Sequence, residues 1–463
     1  MRENITVVIL AAGLGTRMRS RRAKVLHEAG GDTLLNHVIR AALHAAPPER
    51  IVAVIGHQAA QVRESVITPG IQFAEQREQM GTGHAVLCAR DAIHSAEGRL
   101  LILNGDGPLL KAATIEALLE LAEISPGGAI VTTKVADATG YGRIVRDAHG
   151  MVGAIVEQRA ASPEQLKIRE INTGVYCFDW GLFRQYITEL TPNAAANEYY
   201  VTDMVGIFNR HGHAIAALQI EDETELLGIN TRIELAAADK ILRARKTDEL
   251  MLAGVTIEKP ESVTVDIDVE VGQDSVIESS AQLRGRTRIG SNCRIGTGSV
   301  LRDCQIGNGV TILPYVVAEA SSIGANAFVG PFARLRMNAE AAESSHIGNF
   351  VELKKTRLGK GSKANHLAYL GDSIIGSGVN VGAGSITCNF DGERKHETQI
   401  ADNVFVGSNS TLVAPLKISE GAFIAAGSVI TKDVGADSLA LGRARQTEKP
   451  GWAKKRRERS KRS

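Results

Sequence analysis

Residues 400–430 read IADNVFVGSNSTLVAPLKISEGAFIAAGSVI, and within them Ile400, Val406, Leu412, Ile418, Ile424 and Ile430 recur at a strict period of six. A helix repeats every 3.6 residues and a strand every 2, so neither produces this spacing. It marks a coil whose flat faces each take one hexad and bury one aliphatic side chain. A small residue turns the corner: Gly407 follows Val406 and Ala425 follows Ile424, with Gly421 and Gly427 close by. The same pairing recurs upstream at Ile289-Gly290, Ile295-Gly296, Ile306-Gly307, Ile323-Gly324, Val329-Gly330, Ile347-Gly348, Leu358-Gly359, Ile375-Gly376 and Val381-Gly382. Tandem hexads of this kind predict a parallel β-helix, whose stacked coils build a continuous core that no coil builds alone. An ordinary β-sandwich alternates its residues and does not hold one register over six hexads. At three faces per coil, roughly 170 residues make about nine coils, a prism on the order of 45 Å long at the ~4.8 Å strand spacing.

The chain has 463 residues, too many for one core, so two or three domains are expected. Aromatic residues are only 4%, which suits a solenoid filled with Ile, Val and Leu. A net charge of +1 argues against broad electrostatic binding to nucleic acid or to a membrane. The charge is uneven, however. Lys449 to Ser463 carries eight Lys or Arg against one Glu, leaving 45 basic against 51 acidic residues elsewhere. That tail is expected to be a disordered, solvated end. Cys88, Cys177, Cys293, Cys304 and Cys388 are odd in number and lack CxxC spacing, so they read as reduced, packed thiols of a cytoplasmic protein. The apolar run Ile5 to Ala12 is short and enters a Gly/Arg-rich loop, unlike a secretory signal. No apolar run approaches the ~18 residues of a transmembrane helix.

In the amino half, Ile5 to Leu10 is a β-branched run with the look of a buried parallel strand. It breaks into Ala11-Ala-Gly-Leu-Gly-Thr-Arg17-Met18, a glycine-rich loop whose backbone N–H groups can approach phosphates. The spacing fits neither a P-loop nor the dinucleotide fingerprint, which needs a third glycine where Met18 stands. Strand signals at Ile51–Ile55, Leu100–Leu103 and Ala129–Thr133 alternate with helix signals at Thr82–Ile93 and Thr114–Ala122. This alternation predicts an α/β doubly wound sheet with ligands at the carboxyl ends of its strands. Asp106 falls at such an end and is placed to hold a divalent cation, or else simply forms the turn. Thr231-x-x-Glu234 is a capping box opening a long helix, with Ile233, Ala237, Ile241 and Ala244 on its apolar period and Gly254 as its stop. The expected organisation is a first domain over 1–232, a linker helix over 233–253, and a β-helix over 254–463.

Several stretches together resemble one family, the bacterial bifunctional N-acetylglucosamine-1-phosphate uridyltransferases and glucosamine-1-phosphate N-acetyltransferases. The amino half carries LAAGLGTRM (Leu10–Met18), QMGTGHA (Gln79–Ala85), TGYGRI (Thr139–Ile144), EINTG (Glu170–Gly174) and EYYVTD (Glu198–Asp203). The carboxyl half carries GPFARLR (Gly330–Arg336), GNFVELKK (Gly348–Lys355), HLAYLGD (His366–Asp372) and NVGAGSITCN (Asn380–Asn389). These span nearly the whole chain in family order.

The resemblance implies a Rossmann-like first domain that transfers UMP from UTP to N-acetylglucosamine 1-phosphate. Leu10, Ala11, Ala12 and Gly13 would contact the nucleotide, with Asn104 and Gly105 alongside. Arg17 and Lys24 would act on the triphosphate, a role suited to cations because phosphoryl transfer needs charge neutralisation and alignment. Asp106 and Asn230 would hold Mg²⁺, a hard ion that takes oxygen ligands. Gln76, Gly81 and Thr82 would read uracil. Gly142, Glu157, Asn172, Glu198, Tyr200 and Thr202 would line the sugar pocket.

The second domain would be a left-handed β-helix that acetylates glucosamine 1-phosphate from acetyl-CoA. Attack of an amine on a thioester releases a proton, and an imidazole suits that at neutral pH; His366 is the candidate base. Arg336 and Lys354 would bind the sugar phosphate, and Tyr369 and Asn380 would contact the substrate. Lys395 lies on Asn389–Glu397, an interruption of the hexads that should project as a loop. Ala383, Asn389, Phe390, Ser408, Ala426 and Arg443 would line the coenzyme groove. The family assembles as a homotrimer with acetyl-transfer sites between neighbours, and its product, UDP-N-acetylglucosamine, feeds peptidoglycan and lipopolysaccharide synthesis.

The chain departs from the family pattern at Ala23 (usually Pro), Asn104 (usually Tyr), Gly107 (usually Val) and Phe390 (usually Tyr). Arg17, Arg19, Arg21 and Arg22 also make that segment unusually basic. Two alternatives stand beside the bifunctional reading. One is a single-activity nucleotidyltransferase with a structural or regulatory β-helix, against which His366, Lys354 and Lys395 weigh. The other is a non-enzymatic scaffold, against which Asp106 with Asn230 and Arg17 with Lys24 weigh.

Overall fold

The computed structural model describes residues 4–93, 97–193 and 197–461. The chain divides into two compact units after Arg243. In the first, Ile5–Leu10 is buried along nearly its whole length and pairs in parallel with Ile51–Ile55 on one side and Arg99–Asn104 on the other. The main path of this sheet runs Ile215–Ile220, Gly128–Lys134, Glu170–Asp179, Arg99–Asn104, Ile5–Leu10, Ile51–Ile55, Gln72–Glu75. Glu170–Asp179 is antiparallel to both of its neighbours, so the sheet is mixed. Helices cover it on two sides, giving one core around Leu35, Ile39 and Leu118 and another around Phe178, Phe183 and Phe208. Leu10 and Asn104 end their strands side by side, and the loops that leave them share one rim.

The helix Arg232–Leu252 spans the division between the units. Its capping box forms in both directions. Thr231 N–H donates to Glu234 Oε2 at 2.8 Å, and Glu234 N–H donates to Thr231 Oγ1 at 3.2 Å. The buried stripe is not the expected one. Ala238, Leu242 and Leu250 are buried, while Ile233, Ala237 and Ala244 are exposed. The two stripes are neighbours on the helix surface, so periodicity alone does not choose between them. Gly30 N–H donates to Asp239 Oδ1 at 2.8 Å, and that bond fixes the helix's rotation.

In the second unit, three parallel sheets of eleven, ten and nine strands form the faces of a prism. The hexad rhythm maps directly onto them: Ile400 pairs with Ile418, Val406 with Ile424 and Leu412 with Ile430. Residues eighteen apart therefore stack in adjacent coils. All six of these side chains are buried in one core that runs from Leu250 to Val434. A Cβ added at Gly407 would run into the backbone of Ala426 in the next coil, which is why the corner takes a small residue. Two of the three faces exceed the nine coils expected, because the stack continues past Ile430 to Leu439–Ala440. We expect Ile424→Ala to destabilise the prism by about 2–5 kcal/mol, the usual cost of a buried Ile-to-Ala cavity. Denaturant unfolding measures this, and an unchanged midpoint would deny that position its place in the core.

The basic tail is not structureless as expected. Trp452–Ser460 forms a helix with no buried residue, opened by Gly451 at φ 75°. Its Lys and Arg residues are good helix formers, and the Arg456 guanidinium sits 5.5 Å from the Trp452 ring centre. Among the described residues, no helix is long and apolar enough to cross a membrane.

Candidate active sites

In the first unit the rim at the strand ends opens into a cleft of about 720 Å³. Leu10, Ala11, Ala12 and Gly13 form one wall, and Gln76, Gly81 and Thr82 form another. Gln76 Nε2 donates to the Gly81 carbonyl at 3.0 Å. Gly81 has φ 95°, and a Cβ there would stand 2.9 Å from the Tyr199 backbone N, so only glycine fits. Gly83 N–H donates to the Tyr199 carbonyl at 2.7 Å, binding the QMGTG loop to the EYYVT segment.

Glu157, Asn172, Glu198, Tyr200 and Thr202 line the opposite side. Burial, assisted by the Asp203 carboxylate, raises the Glu157 pKa. Asn172 Nδ2 donates to the Tyr176 hydroxyl at 2.8 Å, and burial holds that phenol protonated. Thr202 Oγ1 is buried with no hydrogen-bond partner among the described residues.

Asn104, Asp106, Lys24 and Asn230 meet at the mouth. The Lys24 ammonium donates to Asp106 Oδ2 and, at 3.2 Å, to Asn230 Oδ1. Arg17 does not line the cleft, but its Nη2 donates to the same Asn230 oxygen at 2.8 Å. Gly105 and Gly142 stand behind the walls. Gly105 N–H donates to the Leu10 carbonyl, and the Gly142 carbonyl accepts from Asn172 N–H, both at 2.9 Å.

Asp106 and Asn230 thus present two oxygens to one cation. Among the described residues, no group of three or more His, Cys, Asp or Glu forms a metal cluster. A pair of protein oxygens completed by phosphate and water is the ligand set that Mg²⁺ accepts, so the donors fit that ion.

In the second unit, Arg336, Lys354 and Tyr369 lie on the ten-stranded face. Arg336 pairs with Lys354, Lys354 with Gly371, and Tyr369 with Glu352 in successive coils. Lys354 is 3% exposed, and its Nζ donates to Asp372 Oδ2 at 2.6 Å. Burial opposes the Asp372 carboxylate, but hydrogen bonds from Lys354 and Asn389 outweigh it and hold its pKa below the ordinary value. Asn389, expected at the coenzyme, therefore spends its amide on Asp372. Arg336 Nε donates to Glu352 Oε1 at 2.6 Å.

His366 ends a strand of the eleven-stranded face, one residue before Leu367 at φ 46°, and its side chain is exposed. Asn380 lies on that same face. The acceptor residues of one chain are thus divided over two faces. Phe390 pairs antiparallel with Lys395, and His396 N–H donates to the Asn389 carbonyl at 2.8 Å, so the interruption of the hexads is an exposed hairpin. The Lys354 ammonium close by pushes the Lys395 pKa down. Asn409 N–H bonds the Ala383 carbonyl at 2.7 Å and Gly427 N–H bonds that of Ser408 at 2.8 Å. Ala383, Ser408 and Ala426 therefore follow one corner from coil to coil, with Arg443 beside Gly427.

Residues 7–167 match the MobA-like NTP transferase domain family. Residues 268–303 match the bacterial transferase hexapeptide family, and 398–432 the hexapeptide repeat of succinyl-transferase. The Bifunctional protein GlmU of Solibacter usitatus is 55% identical over 99% of this chain and 98% of its own length. That of Koribacter versatilis is 48% identical, and that of Streptococcus agalactiae serotype V 44%, each over 97% of both chains. The chain belongs to the bifunctional GlmU family. It is a two-activity transferase, a nucleotidyltransferase joined to an acyltransferase on a left-handed β-helix of hexapeptide repeats.

Within the GlmU framework, several lining residues carried no role in the sequence reading. Leu14, Gly15, Thr16, Tyr141, Thr173 and Tyr176 also line the first cleft, and most lie inside the quoted motifs. Asp372 closes HLAYLGD and follows Gly371, the residue that stacks on Lys354 in the next coil. That place in the repeat was the available signal for the pair.

Proposed function

We propose that this chain makes UDP-N-acetylglucosamine in two steps on separate units. On the β-helix, the amine of glucosamine 1-phosphate attacks the acetyl-CoA thioester. His366 accepts the amine proton, an amide bond forms, and coenzyme A leaves as the thiol. In the first-unit cleft, a phosphate oxygen of N-acetylglucosamine 1-phosphate then attacks the α-phosphorus of UTP, and diphosphate leaves. Arg17 and Lys24 neutralise the departing charge, while the Gln76–Gly81–Thr82 wall and the Glu157–Asn172–Thr202 wall hold base and sugar. Mg²⁺ at Asp106 and Asn230 would supply further neutralisation of the phosphates. Arg336 and Lys354 take the acceptor phosphate, and Ala383, Phe390, Ser408, Ala426 and Arg443 take the coenzyme.

The convergence of Lys24, Asp106 and Asn230 at the mouth of a polar cleft carries the nucleotidyl half of this reading. The division of Asn380 from Arg336, Lys354 and Tyr369 supports a homotrimer whose acetyl-transfer site is shared by neighbouring copies. Five free cysteines and water-soluble substrates support a cytoplasmic setting.

Mass spectrometry of the purified protein supplied with glucosamine 1-phosphate, acetyl-CoA, UTP and Mg²⁺ tests the whole scheme. Omitting acetyl-CoA should leave the sugar phosphate unmodified. Omitting UTP or Mg²⁺ should stop the reaction at N-acetylglucosamine 1-phosphate. Acetylation that required UTP would contradict the separation into two sites. A monomer by sedimentation, with full acetyl transfer, would remove the shared site.

A further inference from the structure

Lys24 meets Asp106 and Asn230 only if the peptide that precedes it is held in place. We infer that Gln58 is a positioning residue for uridyl transfer, its carboxamide clamping the Arg21–Ala23 peptide and so holding Lys24 at the two oxygens. The inference rests on the reading of Lys24 as a ligand of the triphosphate.

Both ends of one side chain engage one loop. Ala23 N–H donates to Gln58 Oε1 at 2.7 Å, and Gln58 Nε2 donates to the Arg21 carbonyl at 2.8 Å. Gln58 closes on this loop as a neighbouring strand would. Its own backbone is fixed from the other side. It stands immediately before the helix Ala59–Ser65, where its carbonyl accepts from Val62 N–H at 3.0 Å, and its side chain gives that helix no cap. It does so at φ 56° and ψ 40°, a left-handed conformation that disfavours side chains and persists where surrounding contacts over-determine it. Gln58 is absent from the cleft lining, so it acts through the loop and not on substrate.

Ala23 explains what the clamp replaces. Its φ of −55° is one that a proline ring would impose. A proline at position 23 would lack an N–H, and the N–H of Ala23 is the group Gln58 captures. Ala23 is buried, and its carbonyl accepts from Leu26 N–H at 3.0 Å, opening the turn that carries Lys24. The same loop bears Arg17, Arg19, Arg21 and Arg22, which repel one another and Lys24. A neutral carboxamide restrains that loop without cancelling the charge it offers to a polyphosphate.

Steady-state kinetics of the full chain with UTP test this. Gln58→Gly should raise the KM for UTP about tenfold, the scale of two modest hydrogen bonds. Acetyl transfer should be unchanged. The melting temperature should not fall, because glycine adopts φ near +56° freely. On an Ala23→Pro background the ring restrains the loop, so Gln58→Gly should there change the KM for UTP far less, a non-additivity that a purely local fold effect would not produce. If Lys24→Ala raises the KM while Gln58→Gly does not, the clamp is wrong and the reading of the cleft survives. If Lys24→Ala leaves the KM unchanged, the reading of the cleft falls and the clamp with it. A loss of melting temperature matching the loss of both activities would make Gln58 merely structural.

Discussion

His366→Ala is expected to slow acetyl transfer by about 10²–10⁴-fold, the range a positioned general base contributes. Uridyl transfer should continue at the parent rate. The amine of glucosamine 1-phosphate must shed a proton as it bonds to the thioester carbon, and no other imidazole stands in the HLAYLGD segment. His366 ends its strand beside a left-handed corner, exposed to whatever lies across that edge. It takes no part in the ladder of buried residues, so alanine there opens no cavity and should leave stability unaltered. Two readouts on one preparation separate chemistry from folding. Acetyl transfer is followed by free thiol released from acetyl-CoA, and uridyl transfer by diphosphate. A parallel decline in both would mean that the variant misfolds or that the activities share a centre. Undiminished thiol release would take His366 out of the base's role.

Asp106→Ala should produce the complementary loss, about a thousandfold in uridyl transfer, with acetyl transfer intact; that is the scale of removing one preorganised electrostatic group. Asp106 supplies the carboxylate that the Lys24 ammonium contacts beside Asn230. Its side chain is 16% exposed and that of Lys24 15%, so water screens the pair only partly. Without the carboxylate, the mouth of the cleft holds two cations, Arg17 and Lys24, and a single neutral oxygen at Asn230. Affinity for a divalent ion should collapse, and the Mg²⁺ concentration for half-maximal rate should rise steeply. Asp106→Asn keeps the shape and removes the charge, so it distinguishes the two. If the asparagine variant retained the parent's Mg²⁺ response, charge at Asp106 would not be what holds the ion.

The sites of the two units differ in how much of them could be read before the fold was known. On the β-helix, the repeat turns sequence distance into spatial distance. A coil takes 17 or 18 residues, so Asp372, one residue past the Gly371 that stacks on Lys354, had to lie close to it. Asn389 escaped that logic because it begins the hairpin that breaks the repeat, and its amide turns back to Asp372. The first-unit cleft has no such ruler. Lys24 and Asp106 lie 82 residues apart and Arg17 and Asn230 lie 213 apart, and nothing in the spacing of either pair foretells a contact. Gln58 is a sharper case, since neither its type nor its neighbours mark it, and only the parallel pairing of Ile5–Leu10 with Ile51–Ile55 brings its loop to Arg21–Ala23.

By itself, the sequence determined the prism, its register, and several of the stretches that line the first cleft, because hexads and glycine loops are local patterns dictated by burial and backbone sterics. Tertiary structure alone decided the antiparallel turn of Glu170–Asp179, the buried stripe of the Arg232–Leu252 helix, and the partners of Lys24 and Lys354. Those choices rest on contacts between distant segments, whose free energy is realised only after the chain has closed on itself.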